Sequence, residues 1–265
     1  MMGKPRVSVV KYLNTVPLVW GMLRGAQQGK FALDFTTPAG CADAVRNGQA
    51  DVGIIPSIEY QRLEHAQIVG GVSIASKGRV KSVLLLSKAP IEKIRTVALD
   101  NSSRTSVVLL EILLRKFYGR AVDSVTHAPN PDAMLECADA ALLIGDPALA
   151  YDGQVAEVYD LAAEWKKFTG LPFVFALWVA RSDAKLAGLR KDFEDSRDYG
   201  LARVDEIAEE YAPTCGLQPR EAQVYLRENI DYTLDEENCR GLRLFYKLAR
   251  EAGIVPVERE LRFAP

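Results

Sequence analysis

Three short polar segments stand where an apolar run gives way to a helical one. They are Lys11-Tyr12-Leu13-Asn14-Thr15 ahead of Pro17, Asn101-Ser102-Ser103-Arg104-Thr105-Ser106, and Gly145-Asp146 ahead of Pro147. In open α/β sheets ligands bind at such strand-to-helix junctions. The helix N-terminus there offers free N–H groups and a partial positive charge, suited to a carboxylate or phosphate. The second junction holds four hydroxyls and an arginine where one helix cap would suffice, so it is read as an anion site. Asn14, Thr15 and Asp146 equally suit the structural role of helix cap. Ser82 opens the otherwise apolar run Ser82-Val83-Leu84-Leu85-Leu86, where a buried hydroxyl requires a partner.

Other chemistry is thinly represented. His65 and His127 are isolated from these junctions, so a nucleophilic triad has no histidine. Glu59, in Pro56-Ser57-Ile58-Glu59-Tyr60, suits the first turn of a helix, where negative charge is favourable. Cys41, Cys137, Cys215 and Cys239 form no CxxC pair, which predicts reduced thiols, a cytoplasmic setting and no metal site. Neither GxGxxG nor GxxxxGK[ST] occurs. The stretch from Trp165 through Phe175 to Trp178 suits a core edge or an apolar wall for a ring-shaped ligand.

The elements that must position these residues follow from periodicity. The chain has 265 residues, 48% of them hydrophobic and 26% charged, the composition of a globular protein of one large or two modest domains. A formal charge of −2 leaves no footprint for nucleic acid, and no apolar run is long enough to span a membrane. The opening residues lack the apolar core of a signal peptide. Strands are predicted over 6–10, 32–36, 51–55, 67–72, 80–87, 96–99, 124–127, 140–144 and 173–180. Helices alternate with them over 17–24, 41–47, 57–64, 105–118, 131–136, 147–151 and 160–168. That alternation predicts βαβ units and a mainly parallel sheet. Pro90 precedes a fresh strand–helix series and marks an expected second unit. From Asp183 the texture becomes charged and helical, over 183–211, 219–230 and 235–252. Residues 1–182 carry a small net positive charge and the remainder a net negative one, which suits an anionic ligand in the α/β part.

The segments Tyr12-Leu13-Asn14-Thr15, Pro56-Ser57-Ile58-Glu59-Tyr60, Val80-Lys81-Ser82-Val83, Ser103-Arg104-Thr105-Ser106, Ile144-Gly145-Asp146 and Thr169-Gly170-Leu171-Pro172-Phe173-Val174-Phe175-Ala176 run in order through residues 6–180. Together they resemble the menaquinone-biosynthesis proteins of the futalosine pathway. The Tyr-Leu-Asn-Thr opening is similar to the branch that dehydrates chorismate, whereas the sister branch, which forms dihydroxynaphthoate, opens with a Ser-Pro-rich loop. The resemblance implies an α/β, two-lobed, periplasmic-binding-protein-like (type II) fold with a hinge and C-terminal helices. Residues 1–88 plus 178–265 would form one lobe and 89–177 the other, with hinge strands near 87–89 and 176–179. It implies a lyase that converts chorismate to 3-[(1-carboxyvinyl)oxy]benzoate and water without a cofactor, acting on a small molecule and not on nucleic acid or membrane. Asn14 and Ser82 would be catalytic. Ser57, Ser103, Arg104, Thr105, Ser106, Gly145, Asp146 and Phe175 would bind substrate. The proton acceptor stays open between Glu59, Asp146 and the substrate's own enolpyruvyl carboxylate. A non-catalytic binding module of the same fold and the sister activity are the alternative expectations, and the oligomeric state is left open.

Overall fold

Two sheets form because the short apolar runs of the chain pair in two groups. The computed structural model describes residues 4–184 and 188–265, so residues 185–187 of the expected helix 183–211 lie outside the described residues. In chain order the strands are β1 (Arg6–Val10), β2 (Ala32–Thr36), β3 (Val52–Pro56), β4 (Ala66–Ser76), β5 (Val83–Ser87), β6 (Thr96–Asp100), β7 (Asp123–His127), β8 (Ala140–Ile144), β9 (Glu157–Asp160), β10 (Phe173–Arg181) and β11 (Asp231–Leu234). The helices are α1 (Val16–Arg24), α2 (Pro38–Arg46), α3 (Thr105–Ile112), α4 (Pro131–Cys137), α5 (Asp146–Leu149), α6 (Leu161–Thr169), α7 (Leu189–Leu201), α8 (Val204–Tyr211), α9 (Pro219–Val224) and α10 (Glu236–Glu251). The expected helix 57–64 is a 3-10 segment, Ser57–Arg62.

One sheet has the order β11-β4-β10-β3-β1-β2 and the other β7-β6-β8-β5-β9. Neither is mainly parallel. β1 pairs in parallel with β2 and β3, and β6 with β7 and β8. β10 runs antiparallel to β3 and β4, and β5 antiparallel to β8 and β9. The reason is topological. β5 is the strand by which the chain enters the second sheet and β10 the strand by which it returns, so both oppose the βαβ strands beside them. The lobe boundary moves accordingly. All of β5 lies in the second sheet and all of β10 in the first, so the crossings occupy residues 77–82 and 170–172. The expected break at 88/89 falls inside the second lobe, where Pro90 merely starts a 3-10 turn.

β3 and β8 are buried along their whole length, which is why both read as continuous apolar runs. A single apolar core runs through both lobes, with α3 contributing Leu109, Leu110 and Ile112 and the π-helical turn after it Leu113 and Leu114. A smaller cluster, including Leu86, Ala98, Met134 and Leu143, fills the opposite face of the second sheet. α1 is held against α7 at close range: a Cβ on Gly200 would lie 2.1 Å from the Pro17 carbonyl oxygen. Ser196 of α7 donates to the Leu18 carbonyl at 2.8 Å and accepts from the Met22 amide at 3.2 Å. These contacts fix the start of α1, and with it the Tyr12–Asn14 loop. Among the described residues, no helix is long and apolar enough to cross a membrane.

Candidate active site

Ser82 ends the first crossing, and the backbone there is under constraint. Lys81 adopts φ +62°, a conformation that costs a residue with a side chain about 1–3 kcal/mol. Its N–H donates to Asp160 Oδ2 at 2.7 Å, while Asp160 Oδ1 caps α6 through the Ala162 and Ala163 amides. The Ser82 carbonyl then accepts the Gly145 N–H at 2.8 Å, which joins the hinge to the end of β8. The Ser82 hydroxyl accepts a hydrogen bond of 2.9 Å from the Tyr225 hydroxyl, which itself accepts from Asn14 Nδ2 at 3.1 Å. Asn14 does not cap α1. The N-cap is Thr15, with no side-chain bond to the helix.

Between the lobes lies a cavity of about 550 Å³, mouth included, and Asn14, Ser82, Ser103, Arg104, Thr105, Ser106, Gly145 and Phe175 all line it. One wall is apolar, built from Val10, Ile74, Val83, Ile144 and Phe175. The first residues of α3 also line the cavity, and α3 begins without any side-chain cap, as do α1, α5, α7 and α8. Its first amides therefore have no partner within the helix. Among the described residues the lining holds no Asp, Glu, His, Lys or Cys; its ionisable groups are Tyr12 and Arg104. Burial pushes the Tyr12 phenol above its ordinary range, so at neutral pH it is a hydrogen-bond donor. The lining is thus rich in donors and has no side-chain base.

Polar contacts across the cleft hold the lobes closed on each other. Arg104 donates to Glu59 at 2.9 Å and to Asp43 at 2.9 Å. The Tyr12 and Ser102 hydroxyls are 3.3 Å apart. The Leu13 N–H donates to Asp146 Oδ1 at 3.0 Å. Thr105 Oγ1 accepts from the Ile58 amide at 3.2 Å and lies 3.4 Å from Ser57 Oγ.

Several expectations change as a result. Ser57 and Asp146 do not line the cavity. Ser57 is fully buried and donates to the Val174 carbonyl at 2.8 Å, behind the wall. Asp146 is the first residue of α5 and not its cap, and its second oxygen accepts from the Cys215 thiol at 3.4 Å. Burial raises the Asp146 pKa, with the Leu13 amide opposing the shift. Glu59 is 1% exposed and its carboxylate is shared by Arg46, Arg62 and Arg104, so it has no free oxygen for a substrate proton. Arg104 lines the cavity, but its guanidinium is engaged in closing the lobes. Hence Asp146→Asn, which still accepts from Leu13, should keep turnover within about threefold. A general base contributes about 10²–10⁴-fold, so a thousandfold loss in steady-state kinetics would make Asp146 the proton acceptor.

Two residues escaped the sequence reading. Tyr225 lies in the polar helical stretch near the C-terminus, where no spacing marks it out. Asp43 sits on an ordinary-looking amphipathic helix, and its partner Arg104 is 61 residues away. Nothing local in the sequence reports either contact.

Two lobes joined by two crossings, with the polar site in the cleft between them, define the class of the two-lobed binding-protein fold. The periplasmic aliphatic sulphonate binding protein SsuA of Escherichia coli superposes with a TM-score of 0.69 at 15% identity, covering 100% of this chain and 93% of that one. Protein AF1704 of Archaeoglobus fulgidus gives a TM-score of 0.77 at 18% identity, covering 95% and 98%. Within this class the chain belongs to the menaquinone-biosynthesis family, whose sequence model matches residues 5–251. A chorismate dehydratase from Thermus thermophilus is 32% identical over 268 residues, 92% of this chain and 93% of the relative.

Proposed function

We propose that this protein is a chorismate dehydratase, a hydro-lyase that converts chorismate to 3-[(1-carboxyvinyl)oxy]benzoate and water in menaquinone biosynthesis. The name of the Thermus thermophilus relative and the family membership support this reading. The observation that carries it is the cavity itself, which combines hydroxyl donors and an uncapped helix start with apolar side chains and, among the described residues, holds no side-chain base. A dicarboxylate with a flat ring and a removable hydroxyl is the ligand that such a lining fits.

The substrate dictates the rest. The hydrogen on the ring carbon that bears the enolpyruvyl ether is vinylogously acidic, since its carbanion delocalises through a double bond into the ring carboxylate. Donors aimed at that carboxylate stabilise the developing charge, and in most enzymes such preorganised stabilisation is the dominant source of rate enhancement. The α3 N-terminus with Ser103, Thr105 and Ser106 supplies them. With no side-chain base in the lining, the enolpyruvyl carboxylate accepts the proton. The electron pair left on carbon forms the new ring double bond as the neighbouring carbon–oxygen bond breaks. The departing hydroxide takes the proton held by the carboxyl group and leaves as water, and the ring becomes aromatic. Asn14 and Ser82 hold the ether side and the leaving hydroxyl. Holding such a near-attack geometry lowers a barrier by about 7–11 kcal/mol at best, enough for a site that contributes position more than reactive groups.

The test is incubation of purified protein with chorismate, with products separated by liquid chromatography and weighed. The expected product is aromatic and lighter than chorismate by one water. Chorismate bound but unchanged would make the protein a binding module. Failure to consume chorismate together with turnover of a bicyclic dihydroxynaphthoate precursor would assign it to the sister activity.

A further inference from the structure

Tyr225 is not part of the cavity lining, yet its hydroxyl is the only described partner of both the Asn14 amide nitrogen and the Ser82 hydroxyl. Its side chain is buried, and burial pushes the phenol far above its ordinary pKa, so it remains protonated. The directions of the bonds follow. Tyr225 accepts from Asn14 Nδ2, so its single hydrogen goes to Ser82 Oγ. The Ser82 oxygen, already accepting, has its own hydrogen left over, and no described protein atom receives it. It therefore points to the cavity that Ser82 lines. The backbone carries the same design. α9 widens at Tyr225 into a π-helical turn, Tyr225–Asn229, a local distortion frequent at functional sites. At the far end of that turn Asn229 Nδ2 donates to the Arg79 carbonyl at 3.0 Å, within the crossing that carries Ser82. The turn is thus fastened at both ends, to Ser82 and to Arg79.

We propose that Tyr225 is a positioning residue for the dehydration, polarising the Asn14–Tyr225–Ser82 chain so that Ser82 is presented to the substrate as a hydrogen-bond donor. The inference rests on the dehydratase reading above. Without the phenol, Ser82 is free to turn its hydrogen toward Asn14 or away from the leaving hydroxyl. Binding is untouched, because Tyr225 does not meet the substrate; the loss falls on the chemical step.

The experiment is Tyr225→Phe, which removes one oxygen atom and keeps the ring. Its control is Tyr232→Phe: Tyr232 is also buried, but its hydroxyl has no hydrogen-bond partner among the described residues. For Tyr225→Phe, kcat on chorismate should fall about 10–100-fold with KM changed by less than about threefold, while Tyr232→Phe stays near wild type. In a Ser82→Ala background the Tyr225→Phe loss should shrink to less than about threefold, because residues acting through one another are not additive. Tyr225→3-fluorotyrosine keeps the hydroxyl and should restore most of kcat, which separates the missing hydrogen bond from a packing defect. Wild-type kcat in Tyr225→Phe, a loss confined to KM, or an undiminished loss in the Ser82→Ala background would each overturn the proposal. Wild-type protein inert toward chorismate would instead overturn the dehydratase reading, and this inference with it.

Discussion

Replacing Ser82 by Ala lowers kcat on chorismate by about 10²–10³-fold, the usual consequence of removing one preorganised donor from a water-poor site. The expectation follows from the hydrogen count at Ser82. Its oxygen accepts from Tyr225 and its backbone carbonyl accepts from Gly145, so only the hydroxyl hydrogen remains for the substrate. The leaving hydroxyl gains negative charge as its bond to carbon breaks, and a donor at that point is strongest when charge is greatest. The substitution leaves the hinge backbone alone, because Lys81 is fixed by Asp160 and the Gly145 bond uses a main-chain oxygen. KM should therefore move much less than kcat. Stability should change little, since Ser82 is a small side chain whose removal costs one hydrogen bond, about 0.5–1.5 kcal/mol net. Steady-state kinetics with a thermal-denaturation control checks this, and unchanged kcat would remove Ser82 from the chemistry.

The second large effect comes from a residue that has no side chain. Gly145 follows β8 at φ +64°, ψ −145°, a region open in practice only to glycine. A Cβ there would lie 2.7 Å from Cε2 of Tyr12 and 2.9 Å from its Cγ, so the whole ring edge would be in the way. Neither side can yield easily. Gly145 is tied to the Ser82 carbonyl, and the Tyr12 hydroxyl is beside Ser102 on the opposite lobe. Gly145→Ala should lower kcat/KM by at least about 100-fold, the size of effect that a displacement of about 1 Å has at a reacting centre. Tyr12 and Gly145 belong to different lobes, so the clash is felt on closing more than on folding. The backbone conformation alone costs about 1–3 kcal/mol, a shift of several degrees in the thermal midpoint. Small-angle scattering should show a more open molecule with and without substrate. Turnover at the wild-type rate would mean that the cleft works without the Tyr12–Gly145 approach.

Much of the frame is legible from local pattern. β8 is read to the residue, because Ala140–Ile144 is apolar, buried on both faces and bounded by Asp139 and Gly145. β9 and β11 are not, because each is only four residues long: β9, Glu-Val-Tyr-Asp, shows no alternation, and the alternating Asp-Tyr-Thr-Leu of β11 is too short to stand out between two helical stretches. The parallel-sheet expectation fails at β5 and β10 for a related reason: strand direction depends on which sheet a strand joins, and that is a long-range property. Pro90 likewise carries real information, a turn, but not the information that the lobes divide there. At the site the residue types are legible and their partners are not. Arg104 reads as an anion ligand from its hydroxyl-rich junction, yet Asp43 and Glu59 meet it only after the two lobes close. Glu59 is unremarkable in sequence and proves to be the buried centre of three guanidiniums. Of the three, Arg104 comes from the opposite lobe, so the Glu59 carboxylate is occupied in holding the lobes together and not in moving protons. Tyr225, in a stretch without diagnostic spacing, becomes visible only when the C-terminal segment folds back over the hinge.

Deuterium at one position of the substrate tests the central claim most directly. Chorismate labelled on the ring carbon that bears the enolpyruvyl ether is incubated with the protein, and the aromatic product is weighed. The account predicts that this deuterium is absent from the product ring and that the labelled substrate reacts more slowly than the unlabelled one. Retention of the label in the ring, or labelled chorismate recovered unchanged, would contradict removal of that hydrogen in the cleft between the lobes.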